Sequence, residues 1–152
     1  MYSREEATKL RQQFWITFGQ YMKPIPSADG MPINWVNYKT GVKNIFFKMD
    51  AGQYIASISI VITHPSENQR IRFFEQFEAF KALFTNAVNE EWHWELNGEN
   101  EYGVPQCKIS KSLPDASIFN EQNWPTLISF LKARIIALDQ FWSDVKPVFD
   151  GM

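Results

Sequence analysis

Apolar residues recur along this chain with two periods, one helical and one extended, and the switches between them divide it into elements. Ala7, Leu10, Phe14, Phe18 and Tyr21 form a helical stripe that Trp15 and Met22 widen. Ser3 and Glu6 make a capping box at its start, each side chain placed to bond the other residue's backbone N–H. Pro24 and Pro26 end it, because proline lacks a donor and restricts the residue before it. Three strands are predicted next: Ile33 to Tyr38, Val42 to Met49 and Gln53 to Thr63. The turns between them are Thr40-Gly41 and Asp50-Ala51-Gly52. The third strand has the cleanest alternation, with Ala56, Ile58, Ile60 and Ile62 on one face and Ser57 and Ser59 on the other.

His64-Pro65-Ser66 breaks that strand, and a second helix starts near Ser66 or Glu67. Its stripe is Phe73, Phe77, Phe80 and Phe84, with Phe74, Leu83 and Val88 beside it. Glu91 to Leu96 alternates again, with Trp92, Trp94 and Leu96 on one side. A turn from Asn97-Gly98 to Tyr102-Gly103 leads into Val104 to Lys111, where Cys107 and Ile109 face inward. The last helix carries the longest stripe, Trp124, Leu127, Leu131, Ile135, Leu138, Trp142, Val145 and Phe149, with Pro125 in its first turn. The predicted fold is α+β: a five-stranded, mainly antiparallel sheet with three helices over one face, in the order α-β-β-β-α-β-β-α. Residues 1–152 read as one domain, with no repeat and no linker.

Composition supports a large core. The 13 Phe, 6 Trp and 5 Tyr each bury ~150–250 Å² when packed. The balance of 15 basic against 17 acidic residues gives no global attraction to nucleic acid or to an anionic membrane. One cysteine, Cys107, excludes an internal disulfide and fits a reducing compartment. The first residues are charged and resemble no signal peptide, and no apolar run reaches the ~18–20 residues of a membrane span. A cytoplasmic protein is expected.

Candidate chemistry is sparse. His64 and His93 lack metal-ligand partners at the usual spacings, so no metal is expected. His93 alternates with Glu91 and Glu95 and reads as part of a solvated strand face. Phosphate-loop, dinucleotide and nucleophile-elbow fingerprints are missing, so no cofactor is expected either. Cys107, mid-strand and inward, reads as a small buried thiol. A restriction-type nuclease core shares part of the element order and places an acid-x-Lys triplet in a strand. The only such triplet here, Asp144-Val145-Lys146, falls in the last helix, while the corresponding strand reads Ser57-Ile58-Ser59-Ile60.

Charge distribution offers one candidate surface. Lys39, Lys43 and Lys48 fall in a stretch free of acids and interleave with Trp35, Tyr38 and Phe46. Basic groups beside aromatic faces suit single-stranded nucleic acid. The competing reading makes the aromatics core residues and the lysines guards of exposed strand edges.

Several of these landmarks resemble a known family. Phe14-Trp15 with Phe18 and Tyr21, Trp35 after a Pro/Gly loop, Ile58-Ser59-Ile60, Glu91-Trp92-His93-Trp94, Trp124-Pro125 and Phe141-Trp142-Ser143-Asp144 carry the resemblance. It is to the bacterial domain-of-unknown-function family 4268, in its short stand-alone form, and runs from about Arg4 to Phe149. The family brings no catalytic residues to carry over. Its longer members place a similar domain after a restriction-nuclease-like one, which implies by analogy a link to DNA processing.

The expected function is therefore a non-catalytic binding or protein-interaction module, with an unknown protein or a second copy of itself as partner. An accessory nucleic-acid-binding domain and a divergent hydrolase are the alternatives.

Overall fold

A computed structural model describes residues 2–152. Helix α1, Arg4–Met22, starts at the expected capping box: the Glu6 N–H donates to Ser3 Oγ at 3.1 Å, and the Ser3 N–H to Glu6 Oε1 at 3.4 Å. It buries Phe14, Phe18 and Met22, whereas Tyr21, expected on the same stripe, is exposed. Strands β1, Ile45–Ala51, and β2, Ile55–Ile62, form an antiparallel hairpin. Helices α2, Glu67–Ala79, and α3, Lys81–Val88, lead to β3, His93–Glu99, and β4, Pro105–Pro114. A short 3₁₀ turn, Glu121–Asn123, opens into α4, Trp124–Asp150.

Among the described residues there are four strands and four helices, so the expected count of five and three is corrected, although the α+β class holds. The sheet is antiparallel throughout, in the spatial order β1-β2-β4-β3. The missing strand is Ile33 to Tyr38, which is irregular. Its side chains do alternate, with Ile33 and Trp35 turned in and Asn34 and Val36 turned out. Its hydrogen-bonding groups, however, go elsewhere: the Asn37 N–H donates to Asn34 Oδ1, and the Trp35 indole N–H donates to the Ile25 carbonyl. Alternation reports burial; a strand also needs a ladder partner.

The helix expected from Glu67 to Val88 is broken at Phe80, whose N–H is shared between the Gln76 and Phe77 carbonyls. The break re-aims the two halves so that Phe77 and Phe84 both meet Phe141 on α4, at ring separations of 6.4 and 5.4 Å. In β3 an extra residue between Glu95 and Gly98 shifts the register against β4. That bulge turns Leu96 outward, against expectation, and draws Gly98 into the strand instead of the turn. A side chain at Gly98 would collide with the Glu95 carboxylate and crowd the Gln106 carbonyl.

The core lies between the helices and one face of the sheet. Ala56, Ile58, Ile60 and Ile62 of β2 and Cys107 and Ile109 of β4 are buried there, as the alternation predicts. They meet Leu127, Leu131, Ile135, Leu138, Trp142, Val145 and Phe149 of α4. Phe77 anchors this contact, its ring 4.4 Å from Phe149 and 6.1 Å from Trp142. The other face carries Phe46, Lys48, Ser57, Ser110 and His93, exposed or half-buried, together with Ser59 and Val61, which are buried outside the core cluster. No helix is long and apolar enough to cross a membrane.

An ion pair fastens the α3–β3 connection to α4. Arg134 donates to both Glu90 oxygens at 2.8 and 2.9 Å, and the Trp92 indole N–H donates to one of them at 2.9 Å. The guanidinium also lies 4.1 Å from the centre of the Phe130 ring. Partial burial pulls the Glu90 carboxyl upward, but the bonds from Arg134 and Trp92, with the charges of Arg134 and Lys111, hold it below its ordinary 4.5.

Two outcomes follow from this packing. Phe77→Ala should destabilise the fold by ~3–5 kcal/mol in urea titration, the usual cost of a deleted buried Phe. Because the Glu90 carboxyl is depressed by folding, its contribution is fully present above 4.5 and is lost as pH falls through the lower folded value. Glu90→Gln should therefore flatten the acid limb of a stability–pH curve below pH 4.5 and lower stability above it.

Candidate functional site

From Lys23 to Asn44 the chain crosses the surface without regular structure, a length well beyond the ~12–15 residues at which loops become uncommon unless they are functional. Side chains pin it in four places. The Trp35 indole N–H donates to Ile25 O at 2.8 Å, and the Trp142 indole N–H donates to Thr40 O at 2.7 Å. Thr40 Oγ1 donates to Ile45 O at 2.7 Å, which fixes the entry into β1. The fourth anchor is Asp139 of α4, a carboxylate only 6 % exposed. Its Oδ2 accepts from the Ala28 N–H at 2.7 Å and its Oδ1 from the Tyr38 hydroxyl at 2.5 Å.

Between this segment and α4 lies a cavity of about 440 Å³. Ile33 and Trp142 form its apolar lining, and Ser27, Asp29, Asn34, Asn37, Lys39, Thr40, Ser143 and Lys146 its polar lining, with Tyr38 and Asp139 on the wall between them. Burial pushes the Tyr38 phenol up, and the hydrogen bond and charge of Asp139, then the charge of Asp29, push it the same way. The phenol therefore stays protonated and donates. Lys146 lies across Gly41, where a Cβ would come within 2.9 Å of its Cε, and pairs with Asp150 at 3.0 Å. Gly41 has φ +78°, a left-handed conformation that most side chains would strain.

The six residues singled out in the sequence separate here. Trp35 is 3 % exposed and serves packing, whereas Tyr38, half-buried on the cavity wall, stacks on Phe47 at 5.2 Å. Lys39 lines the cavity. Lys43 lines a second cavity, of about 330 Å³, on the far side of Gly41. Phe46 and Lys48 are exposed on the sheet face opposite the core, the Lys48 ammonium 5.5 Å from the Phe46 ring centre. Asp139 went unnoticed in the sequence. The available signal was a lone acid one turn after Ile135 and just ahead of Trp142, on an otherwise apolar face.

The remaining sequence candidates are placed plainly. Cys107 is buried, and its thiol donates to Leu96 O at 3.1 Å. Burial raises that thiol, partly offset by the charge of Arg70. His64 is half-buried and accepts from the Ser66 N–H at 3.0 Å, while His93 is exposed. Asp144 is exposed on α4, away from the sheet strand where a nuclease triplet would stand. Among the described residues no three His, Cys, Asp or Glu side chains group to hold a metal ion.

Tyr38→Phe isolates the role of the Asp139 clasp, because it removes one donor and keeps the ring. The stranded Oδ1 should cost ~1–3 kcal/mol of stability. Amide exchange at Ala28 and its neighbours should quicken while that of β2 changes little, as read by hydrogen-exchange mass spectrometry.

No curated protein and no solved structure matches the chain. The sequence model of one family, described as Domain of unknown function (DUF4268), matches residues 10–146. That span takes in the aromatic landmarks from Phe14 to Trp142, the pinned segment and Asp139, and the chain belongs to the DUF4268 family.

Proposed function

We propose that this domain is a non-catalytic binding module whose ligand enters the cavity between the Lys23–Asn44 segment and α4. The observation that carries the reading is that both oxygens of Asp139 are engaged within the fold. One accepts from the Tyr38 hydroxyl on the cavity wall and the other from the Ala28 N–H of the same segment. A general base must instead be free to reach a substrate proton. Asp139 thus holds the site's shape, and Asn34, Asn37 and Lys39 are left to meet a ligand, while the Ser143 hydroxyl donates to Asp29 Oδ1 at 3.5 Å. Those groups recognise by hydrogen bonding and charge. A reducing cytoplasm suits the same reading, supported by Cys107, a free and buried thiol.

A thermal-shift panel of amino acids, nucleotides, sugar phosphates and short oligonucleotides tests this. At about a hundredfold excess over Kd, a binding class should stabilise the wild type by ~2.7 kcal/mol. Ser143 is exposed at the cavity wall, so Ser143→Trp should fold and fill the cavity, and its melting temperature should not respond. An equal response from both proteins, or a ligand recovered chemically altered, would sink the proposal.

A further inference from the structure

The two cavities flanking Gly41 are neighbours along one stretch of chain. Lys39 and Thr40 line the first, Lys43 and Asn44 the second, and Gly41 borders the second directly. Lys146 and Asp150 join them from α4: Lys146 lines the first, Asp150 lines the second, and their ion pair spans the saddle. Asp150 is thus occupied by Lys146, and Asp139 by Tyr38 and Ala28. Lys39 and Lys43 take part in no ion pair among the described residues. The trough therefore presents two ammonium groups free of ion pairs, four residues apart, on either side of Gly41, whose surface the Lys146 side chain covers.

Amides accompany those charges. Asn34 and Asn37 line the first cavity, and Asn44 and Gln69 the second. Each can offer a donor and an acceptor together, the pairing that an unpaired base edge presents. His64 also borders the second cavity, and because its Nδ1 accepts from Ser66, its neutral ring carries the proton on Nε2. A ligand that repeats a phosphate and a hydrogen-bonding edge along its length matches this order of groups.

We infer that the trough takes a single-stranded nucleic acid, its backbone crossing over the Lys146 side chain at Gly41 with one phosphate near Lys39 and the next near Lys43. The inference rests on the binding reading above and names the ligand class. It differs from a lysine–aromatic hairpin in using neither Trp35 nor Tyr38 for stacking and in leaving out Lys48, which stands on the sheet face opposite the core. Asp29, on the wall of the first cavity, disfavours a second phosphate there. The overall acidic balance makes the attraction local, so only a shallow salt dependence is expected.

Fluorescence anisotropy with a labelled thymidine oligonucleotide, over a salt series, tests the inference. Two phosphate contacts give a log–log slope of about −1.4, at roughly −0.7 for each. Lys39→Gln combined with Lys43→Gln should bring the slope near zero, and Lys48→Gln should leave it unchanged. All three lysines are exposed or unpaired in the fold, and equal melting temperatures confirm that the variants are folded. Binding weaker than ~10⁻⁴ M at physiological salt, or a slope carried by Lys48, overturns the inference. A parallel arm uses pyrophosphate and a mononucleotide. If these bind the wild type but not Ser143→Trp while the oligonucleotide fails, the cavity is a binding site and the nucleic-acid inference falls.

Discussion

One buried carboxylate organises the least regular part of this molecule. The segment from Lys23 to Asn44 has no sheet or helix to satisfy its backbone, and ordering each of its residues costs ~1–2 kcal/mol of conformational entropy. Asp139 reaches it from the middle of α4, a rigid element, and takes one hydrogen bond from its backbone and one from a side chain ten residues on. Such bonds to a carboxylate are shorter and stronger than neutral ones, more so away from water. Remove the clasp and the Trp35 and Trp142 anchors would hold only the two ends of a longer span. The cavity exists because the segment stands off α4 at the distance these bonds set.

The same helix links that clasp to the core. Trp142 packs against Phe47 at 5.5 Å, against Phe77 at 6.1 Å and against Phe149 at 5.1 Å, while its indole N–H holds Thr40. A single side chain thus joins sheet, helical layer and irregular segment. Aromatic residues suit such a junction, because one edge can carry a hydrogen bond while the faces stay apolar. The richness in Phe and Trp that marks the composition is spent on connecting layers as well as filling space.

Much of this was legible in the sequence where one local signal decides. The Ser3–Glu6 cap, the isoleucine face of β2 and the long stripe of α4 each rest on residues a few positions apart. The errors arise where distant partners decide. Ile33 to Tyr38 alternates like a strand, but its polar groups are claimed by Ile25, Asn34 and Asp139. The Phe73–Phe84 stripe is continuous, yet meeting Phe141 from two directions favours a break at Phe80. Within the candidate site, Lys39 and Lys43 could be singled out as basic residues in an acid-free stretch. Trp35 looked available for stacking only because nothing local reveals that the α1 connection buries it.

The bulge in β3 has a consequence for life at high concentration. β3 is an outer strand, and an outer strand that is flat and apolar offers its unpaired backbone to any passing chain. Here the extra residue before Gly98 bends and twists that border, and Glu91, Glu95 and Glu99 give it negative charge. A chain so rich in Phe and Trp would otherwise be prone to sheet-by-sheet growth into aggregates. The irregularity at Gly98 makes that border a poor template for a further strand.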